Sequence, residues 1–211
     1  MLEKIRLFTN IPPECLLKLE RTSSLRKYPK NTILFMEGDD NANLLIIKSG
    51  LVCIHTDDNE GRQLVLNYMG PGEYFGELSL LDGKPRSASA TTVEDSAILT
   101  ISREHFRSFM RDYPELYEVL MVELADRIRA LTENVKDMAL LDVYGRVAHT
   151  LERLCGQAAE VSPKLTHQDI ANMVGASREM VSRVMKELVV GGYIEIQQKQ
   201  IRILKSFPKN W

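Results

Sequence analysis

Short runs of apolar and β-branched residues fill the chain from about residue 32 to residue 101. They read TILFMEG, NLLIIKSG, LVCIHT, QLVLNYM, SASATTV and SAILTIS, and turn signals such as SG, DDNEG and GPGE divide them. Strands of this length, bounded by Gly, Pro, Asn and Asp, are typical of all-β domains. The pattern therefore predicts a compact all-β unit in the first half of the chain.

A helical periodicity follows from Pro114 to about Met138, in a stretch without glycine. Its apolar positions are Leu116, Leu120, Leu124, Ile128, Leu131, Val135 and Met138, and the last five are spaced by 4, 3, 4 and 3 residues. A heptad seam on a helix of about 25 residues, roughly 37 Å long, exceeds what one small domain needs for its core. We predict the two-stranded coiled coil of a homodimer, with packing of the seam on the β unit as the alternative.

A second helix is predicted after a break near Asp142, in the stretch ALLDVYGRVAHTLERL. Gly145 would destabilise a helix interior by roughly 1 kcal/mol relative to alanine. We therefore expect a hinge in this region.

The strongest local pattern is LTHQDIANMVGASREMVSRVMKELVVGGYIEI. Thr166 can cap a first helix with Asp169 as its capping-box partner, Gly175 can end that helix, and Ser177 can cap a second. Two short helices joined by a glycine-containing turn form a helix-turn-helix, whose second helix enters the DNA major groove. The segment GGYIEIQQKQIRIL is predicted to form the following hairpin, the wing.

The second of these helices has a polar face opposite its inward positions, which are Val181, Val184 and Leu188. Arginine offers two parallel donors to guanine and glutamate accepts from cytosine, so Arg178, Glu179 and Arg183 can read base edges. The full set of candidate DNA-binding residues is Thr166, Gln168, Ser177, Arg178, Glu179, Ser182, Arg183 and Lys186. A solvated face whose charges neutralise each other is the alternative.

Composition and charge support two domains in a chain of 211 residues and 24.0 kDa. Lys and Arg number 17 against 23 Asp and Glu up to Asp142, but 10 against 6 afterwards, so the basic part is the C-terminal one. A basic domain is compatible with binding to a phosphate backbone. No apolar run is long enough for a membrane span, and three dispersed cysteines suit a reducing compartment, so a cytoplasmic protein without a membrane partner is expected.

Enzyme chemistry finds no support in the motifs. GPGEYFG lacks the G-x-G-x-x-G spacing, and GELSLLDGKP lacks both the spacing and the Ser or Thr of a P-loop. No nucleophile and base are recognisable as a pair. We therefore predict a binding protein rather than an enzyme.

Three segments together carry a resemblance to a known family: FGELSLLDGKPRSASA, LLDVYGRVAHTLERL and SREMVSRVMKEL. They resemble the cyclic AMP receptor protein branch of the CRP/FNR superfamily of bacterial transcription regulators, over nearly the whole chain. The resemblance implies an α+β fold: an N-terminal cyclic-nucleotide-binding β-roll (a double-stranded β-helix or jelly roll), a long dimerisation helix and a C-terminal winged helix-turn-helix. The expected boundaries are 1–113 for the β-roll, 114–141 for the dimerisation helix and hinge, and 142–211 for the DNA-binding domain.

The resemblance also implies a ligand site around Glu77, Arg86 and Ser87. In this family the glutamate accepts from a ribose 2′-hydroxyl, while the arginine and the following serine hold the cyclic phosphate. The forked donors of a guanidinium match two phosphate oxygens, which agrees with that assignment. The complete set of expected ligand-binding residues is Gly76, Glu77, Leu78, Arg86, Ser87, Leu131 and Thr132. An internal ion pair between Glu77 and Arg86 is the alternative.

One departure from the family bears on which nucleotide is bound. Cyclic AMP-responsive members contact adenine through two adjacent hydroxyl residues, and the corresponding positions here are Leu131 and Thr132. One hydroxyl is missing. Cyclic AMP is the first expectation, cyclic GMP or cyclic di-GMP and a ligand-independent regulator are alternatives, and a regulatory subunit without DNA binding is the alternative of another class.

The expected partners follow from the same resemblance. They are a second copy of the chain, a palindromic TGTGA-like site in double-stranded DNA, and RNA polymerase. Relatives carry an activating surface in the loop 155–164, which is short here. The iron-sulfur branch of the family has an N-terminal cysteine cluster that this chain lacks, and four dispersed histidines do not indicate haem. No metal, haem or iron-sulfur cluster is expected.

Overall fold

The computed structural model describes residues 2–155, 160–161, 164–197 and 200–208. These residues fall into two compact units. The first contains the residues up to Thr56 and Val65–Arg127, and the second contains Asp57–Leu64 and the residues from Ile128 onward. No helix among the described residues is both long and apolar enough to cross a membrane.

The helices and strands form an α+β arrangement, as expected, with runs of strands and runs of helices. The helices are α1 (Pro13–Arg21), α2 (Glu77–Asp82), α3 (Arg103–Asp112), α4 (Glu115–Leu140), α5 (Val143–Cys155), α6 (His167–Val174) and α7 (Arg178–Val190). The strands are β1 (Ser24–Tyr28), β2 (Ile33–Phe35), β3 (Leu44–Ser49), β4 (Val52–Asp57), β5 (Gln63–Met69), β6 (Tyr74–Phe75), β7 (Ser89–Thr92), β8 (Ser96–Ile101), β9 (Glu160–Val161), β10 (Ile194–Gln197) and β11 (Gln200–Ile203).

The first unit contains two four-stranded sheets, with strand orders β1-β8-β3-β6 and β2-β7-β4-β5. Strand β3 is buried on both faces. Leu45 and Ile47 join a cluster with residues of the second sheet, whereas Leu44 and Ile46 join a cluster with residues of the helices. Because side chains alternate between the two faces of a strand, both faces must be apolar, which explains the continuous run LLII.

The prediction of an all-β unit between residues 32 and 101 is wrong at Glu77–Asp82, where the chain forms α2. This short helix lies between Gly76 and Gly83, both in the left-handed conformation, with φ of 83° and 78°. Six residues are too few for a helical periodicity to appear in the sequence. Strand β1 and the flanking helices α1 and α3 were also not recognised from the sequence.

The buried and exposed residues of helix α4 differ from those that its heptad pattern suggested. Leu116 and Leu120 are buried in the cluster that joins helices and sheet. Tyr117 and Met121 are exposed instead. Together with the predicted positions they form a row with spacings of 4 and 3, which we call the α4 seam: Tyr117, Met121, Leu124, Ile128, Leu131, Val135 and Met138.

The predicted break after the long helix lies at Leu141 and Asp142. Oδ1 of Asp142 accepts a hydrogen bond from the backbone N–H of Gly145 at 2.8 Å. Gly145 therefore lies in the first turn of α5 and is not itself the point of interruption. The break follows from the N-terminal turn that Asp142 closes.

The second unit contains the predicted helix-turn-helix in α6 and α7. Thr166 and Asp169 form the complete capping box, Gly175 ends α6 in the left-handed conformation, and the Ser177 hydroxyl accepts from the N–H of Met180. Residues Ile170, Ala171, Val174, Val181, Val184 and Leu188 are buried, as predicted. Strands β10 and β11 pair antiparallel as the predicted wing, and β9 adds a strand that the sequence analysis missed. The turn of the wing at 198–199 and most of the loop 155–164 lie outside the described residues.

Candidate ligand pocket and nucleic-acid interface

The backbone at Gly76 lies close to the Arg86 side chain. Its φ of +83° is a conformation that L side chains rarely adopt. A Cβ at this position would lie 2.3 Å from Nη1 of Arg86 and 2.9 Å from the carbonyl oxygen of Asn43. Both the backbone conformation and the lack of space require glycine here.

Arg86 is buried, with 3% of its surface exposed, and its guanidinium is held by protein acceptors. Nη1 donates to the carbonyl of Gly76 at 2.8 Å, and Nη2 donates to the carbonyl of Asn43 at 2.8 Å. Nε and Nη2 both donate to Oδ1 of Asn41, at 2.9 and 2.5 Å. The edge formed by Nε and Nη2 is thus occupied by one side-chain oxygen.

An aromatic ring and two carboxylates surround this guanidinium. Its carbon lies 4.1 Å from the centre of the Phe35 ring, in a cation–π arrangement. Burial lowers the pKa of Arg86 to about 10, and the nearby carboxylates of Glu77 and Asp39 oppose that shift. The side chain therefore remains a cation at neutral pH, and it supplies positive charge to the pocket.

Glu77 begins α2 and pairs with Arg127 of α4 rather than with Arg86. Nη1 of Arg127 donates to Oε1 of Glu77 at 2.5 Å, and Nη2 of Arg127 donates to the carbonyl of Tyr74 at 2.9 Å. The second carboxylate oxygen of Glu77, Oε2, is buried and has no hydrogen-bond partner among the described residues. An unsatisfied buried acceptor costs free energy, so this atom is suited to a hydroxyl donor from a ligand.

The remaining predicted ligand residues occupy exposed positions. Leu78 and Ser87 are exposed in the first unit, on either side of the segment that contains Gly83. Leu131 and Thr132 belong to α4 in the second unit and are exposed, and the Thr132 hydroxyl donates to the backbone carbonyl of Ile128. The structure thus brings together Gly76, Glu77 and Arg86, while the other four lie on the surface.

Asn41 and Arg127, which contact Arg86 and Glu77, were not predicted as site residues from the sequence. Asn41 is 45 residues from Arg86, and Arg127 is 50 residues from Glu77. Asn41 lies in a turn rich in Asp and Asn, a composition that is ordinary for loops. Arg127 is a polar residue of the helix between two seam positions, which is expected of any coiled coil. Neither residue carries a local signal.

The three residues of α7 that are predicted to read base edges, Arg178, Glu179 and Arg183, are exposed. Lys186, which is predicted to lie nearer the phosphates, is exposed as well. Met180, in the first turn of α7, is also exposed, so the exposed surface of this helix is not wholly polar. The exposed groups match the chemistry needed to contact base edges and phosphates.

The other predicted DNA-binding residues have structural partners inside the second unit. Ser182 is half-buried, and its hydroxyl lies 2.9 Å from Nδ1 of His167 at the start of α6. Thr166 and Ser177 cap the two helices, and the Gln168 amide donates to Oδ1 of Asn172 at 2.7 Å. The contact between Ser182 and His167 was not anticipated, and it links the two helices of the motif.

Among the described residues, no group of three or more His, Cys, Asp or Glu side chains could hold a metal ion.

Comparison with protein-family models finds two matches. Residues 25–113 match the cyclic nucleotide-binding domain, and residues 145–206 match the Crp-like helix-turn-helix domain. The first match contains Gly76, Glu77 and Arg86. The second contains α6, α7 and the wing.

Two curated proteins are similar over most of the chain. A CRP-like cAMP-activated global transcriptional regulator of Mycobacterium tuberculosis is 35% identical over 213 residues, which cover 98% of this chain and 95% of that protein. The cAMP-activated global transcriptional regulator CRP of Haemophilus influenzae is 36% identical over 184 residues, covering 84% of this chain and 82% of that protein.

Two solved structures also resemble this chain. The c-di-GMP responsive global regulator CLP of Xanthomonas campestris is 28% identical with a TM-score of 0.80, covering 92% of this chain and 100% of that chain. The catabolite activator protein of Thermus thermophilus is 32% identical with a TM-score of 0.58, covering 94% of this chain and 93% of that chain.

Proposed function

This chain belongs to the CRP family of transcription regulators, and we propose that it is a homodimeric regulator that binds cyclic AMP in the β-roll and reads a palindromic DNA site. The observation that carries the ligand part is Oε2 of Glu77, a buried acceptor without a partner among the described residues. Arg86 is a buried cation that is close enough for an electrostatic interaction with the Glu77 carboxylate. A nucleotide with a free ribose hydroxyl and an anionic phosphate has the complementary groups.

Each residue of the pocket has a distinct role in this proposal. Glu77 accepts a hydrogen bond from the ribose 2′-hydroxyl, and Arg127 holds the Glu77 carboxylate in place. Arg86 supplies the positive charge for the cyclic phosphate, and the exposed hydroxyl of Ser87 adds a donor. Gly76 leaves the space that the Arg86 guanidinium occupies. Leu78, Leu131 and Thr132 complete the ligand site.

The names of the relatives support cyclic AMP as the nucleotide, whereas Leu131 argues against it. Curated relatives at 35% and 36% identity are named cAMP-activated. Leu131 lacks the hydroxyl that could contact a purine base, and a structure with a TM-score of 0.80 is named c-di-GMP responsive. Cyclic di-GMP is therefore the second candidate effector. Cyclic GMP and ligand-independent binding are the remaining alternatives.

The α4 seam supports a homodimer. Ile128 and Leu131 are 64% and 50% exposed in the single chain, and Val135 and Met138 are exposed one and two turns further on. A contiguous apolar row with heptad spacing is the pattern of a two-stranded coiled coil. A second copy of this helix would remove the row from water.

The DNA-binding part of the proposal depends on α7. Arg178, Glu179 and Arg183 reach base edges of a TGTGA-like half-site, while Ser182 and Lys186 lie nearer the phosphates. A dimer would place two such helices about one turn of DNA apart, roughly 34–36 Å. Thr166, Gln168 and Ser177 lie at the N-terminal turns of the two helices, where backbone N–H groups can contact phosphate. We place the protein in the cytoplasm, with RNA polymerase as its further partner and with no catalytic role.

Fluorescence anisotropy of a labelled inverted repeat of TGTGA tests this function. With cyclic AMP present, we expect tight binding that is lost when the half-sites are scrambled. Cyclic GMP and cyclic di-GMP are added in parallel to identify the effector. Equal binding to the palindromic and scrambled fragments, with every nucleotide and without any, would contradict the proposal.

A further inference from the structure

The Arg86 guanidinium has two edges that can each bind an acceptor pair. Backbone acceptors occupy one edge, and a side-chain acceptor occupies the other. The edge formed by Nη1 and Nη2 faces the carbonyl oxygens of Gly76 and Asn43, which belong to the backbone. The edge formed by Nε and Nη2 faces only Oδ1 of Asn41 among the described residues. Backbone acceptors cannot leave without moving the chain, whereas the Asn41 side chain can rotate away.

Asn41 is also the only one of these three acceptors that belongs to an exposed residue. It lies in the loop between β2 and β3, outside a guanidinium that is itself buried. Two backbone hydrogen bonds also join this loop to Arg86. The N–H of Gly38 donates to the Arg86 carbonyl at 2.8 Å, and the N–H of Arg86 donates to the carbonyl of Asp39 at 2.9 Å. Removing the Asn41 amide therefore leaves the loop attached to Arg86.

A phosphate that pairs with two guanidinium nitrogens needs the edge that Asn41 occupies. Bidentate pairing of two N–H groups with an anion is the preferred geometry of arginine with phosphate. The carbonyl oxygen of a neutral amide satisfies the same two N–H groups without bringing a charge. We propose that Asn41 is an internal competitor of the ligand phosphate, so that it sets nucleotide affinity and keeps Arg86 satisfied when no nucleotide is bound.

This inference rests on the proposed binding of a cyclic nucleotide at Arg86. It adds a role for Asn41, which weakens the affinity for the nucleotide. Two substitutions of Asn41 separate competition from assistance. Asn41→Ala removes the competing oxygen, and Asn41→Asp replaces it with an anion of nearly the same size, which should hold the guanidinium more firmly.

Isothermal titration calorimetry of the full-length protein with cyclic AMP, cyclic GMP and cyclic di-GMP provides the test. We expect Asn41→Ala to bind the effector about three- to tenfold more tightly than the wild type, the range of one net hydrogen bond. Asn41→Asp should bind it at least about tenfold more weakly. Asn59→Ala, which truncates an exposed asparagine in the β4–β5 turn, is the control and should match the wild type.

The NMR signal of the Arg86 Nε–H reports on the contact without any ligand. It should be protected from exchange with water in the wild type and exchange faster in Asn41→Ala. Weaker nucleotide binding by Asn41→Ala would mean that Asn41 assists the ligand, and equal binding would mean that it does not compete; either result overturns the inference alone. If neither the wild type nor Asn41→Ala bound any of the three nucleotides, the proposed ligand function would fall as well.

Discussion

Nη1 of Arg127 lies 2.5 Å from Oε1 of Glu77, although 50 residues of chain separate the two. The pair joins the start of α2 to α4. The Glu77 side chain is almost fully buried, whereas about a third of the Arg127 side chain is exposed. The Glu77 carboxylate is therefore buried and depends on Arg127 for its pairing, whereas solvent can reach the Arg127 side chain.

Replacing Arg127 with alanine should leave the buried Glu77 carboxylate without its ion-pair partner. We expect a loss of about 1–3 kcal/mol in the free energy of unfolding, the cost of an unsatisfied buried polar group. Urea denaturation measures it. Arg129→Ala, which removes an exposed arginine two residues further along α4, is the control and should be within about 0.5 kcal/mol of the wild type. Equal stability of the two variants would show that Glu77 gains nothing from Arg127.

Alanine at Gly76 should combine backbone strain with a clash against Arg86. Gly72 shares the left-handed conformation, with φ of +90°, but a Cβ added there would have no other atom within 4 Å, so Gly72→Ala isolates the strain. We expect Gly72→Ala to lose about 1–2 kcal/mol of unfolding free energy and Gly76→Ala to lose more. Only Gly76→Ala should also weaken nucleotide binding, by about tenfold or more, because the guanidinium must shift. Chemical denaturation measures the loss of stability, and calorimetry measures nucleotide affinity. Equal stability and equal affinity of Gly72→Ala and Gly76→Ala would show that Gly76 does not lie close to Arg86.

Stability at alkaline pH should depend on Tyr74. Burial and the hydrogen bond that its hydroxyl donates to Glu123 raise the pKa of Tyr74 above its ordinary value. The unfolded chain then releases this proton first, so the free energy of unfolding is unaffected well below pH of about 10 and falls as the pH rises above it. Tyr74→Phe should make that fall shallower than in the wild type. Urea midpoints that fall with the same slope between pH 8 and 11 in the wild type and in Tyr74→Phe would disprove the assignment.

Charging the middle of the α4 seam should prevent dimerisation. Leu131→Glu would place like charges opposite each other in an apolar strip, and we expect monomers that bind DNA poorly. Val122→Glu introduces the same charge at a position of α4 that is 48% exposed and lies off the seam, so it should remain dimeric. Analytical ultracentrifugation at micromolar protein, with nucleotide present, decides the matter. A monomeric wild type or a dimeric Leu131→Glu variant would show that α4 does not form the dimer interface.

Glu179 and Lys186 should affect DNA binding in different ways. Because Glu179 is expected to touch a base edge, Glu179→Ala should relax the preference at one G·C pair, where a mismatch costs about 1–3 kcal/mol, and largely keep non-specific affinity. Lys186→Ala should weaken binding to all sequences and reduce its salt dependence, because it loses a phosphate contact. Selection of sites from random DNA, followed by salt titration, separates them. An unaltered consensus for Glu179→Ala would overturn the base-reading assignment.

Much of this fold could be predicted because its signals are local. The helix-turn-helix is specified by Thr166, Asp169, Gly175 and Ser177, and each of these acts within about one turn of its own position. The strands of the β-roll and the long helix follow from runs and spacings that can be counted along the chain. Family resemblance added the proposed ligand-binding roles of Glu77, Arg86 and Ser87, which composition and periodicity do not supply.

The contacts inside the ligand pocket were decided by tertiary structure. Asn41 reaches Arg86, and Arg127 reaches Glu77, because the sheets and α4 bring distant segments together, and no short-range pattern records such a meeting. The same holds for α4, where Leu116 is buried and Tyr117 is exposed. A heptad pattern identifies an apolar row along a helix. Packing of α4 against the β-roll determines which of two neighbouring rows is buried. Local sequence determined which elements form, and burial of their shared surfaces determined which side chains meet.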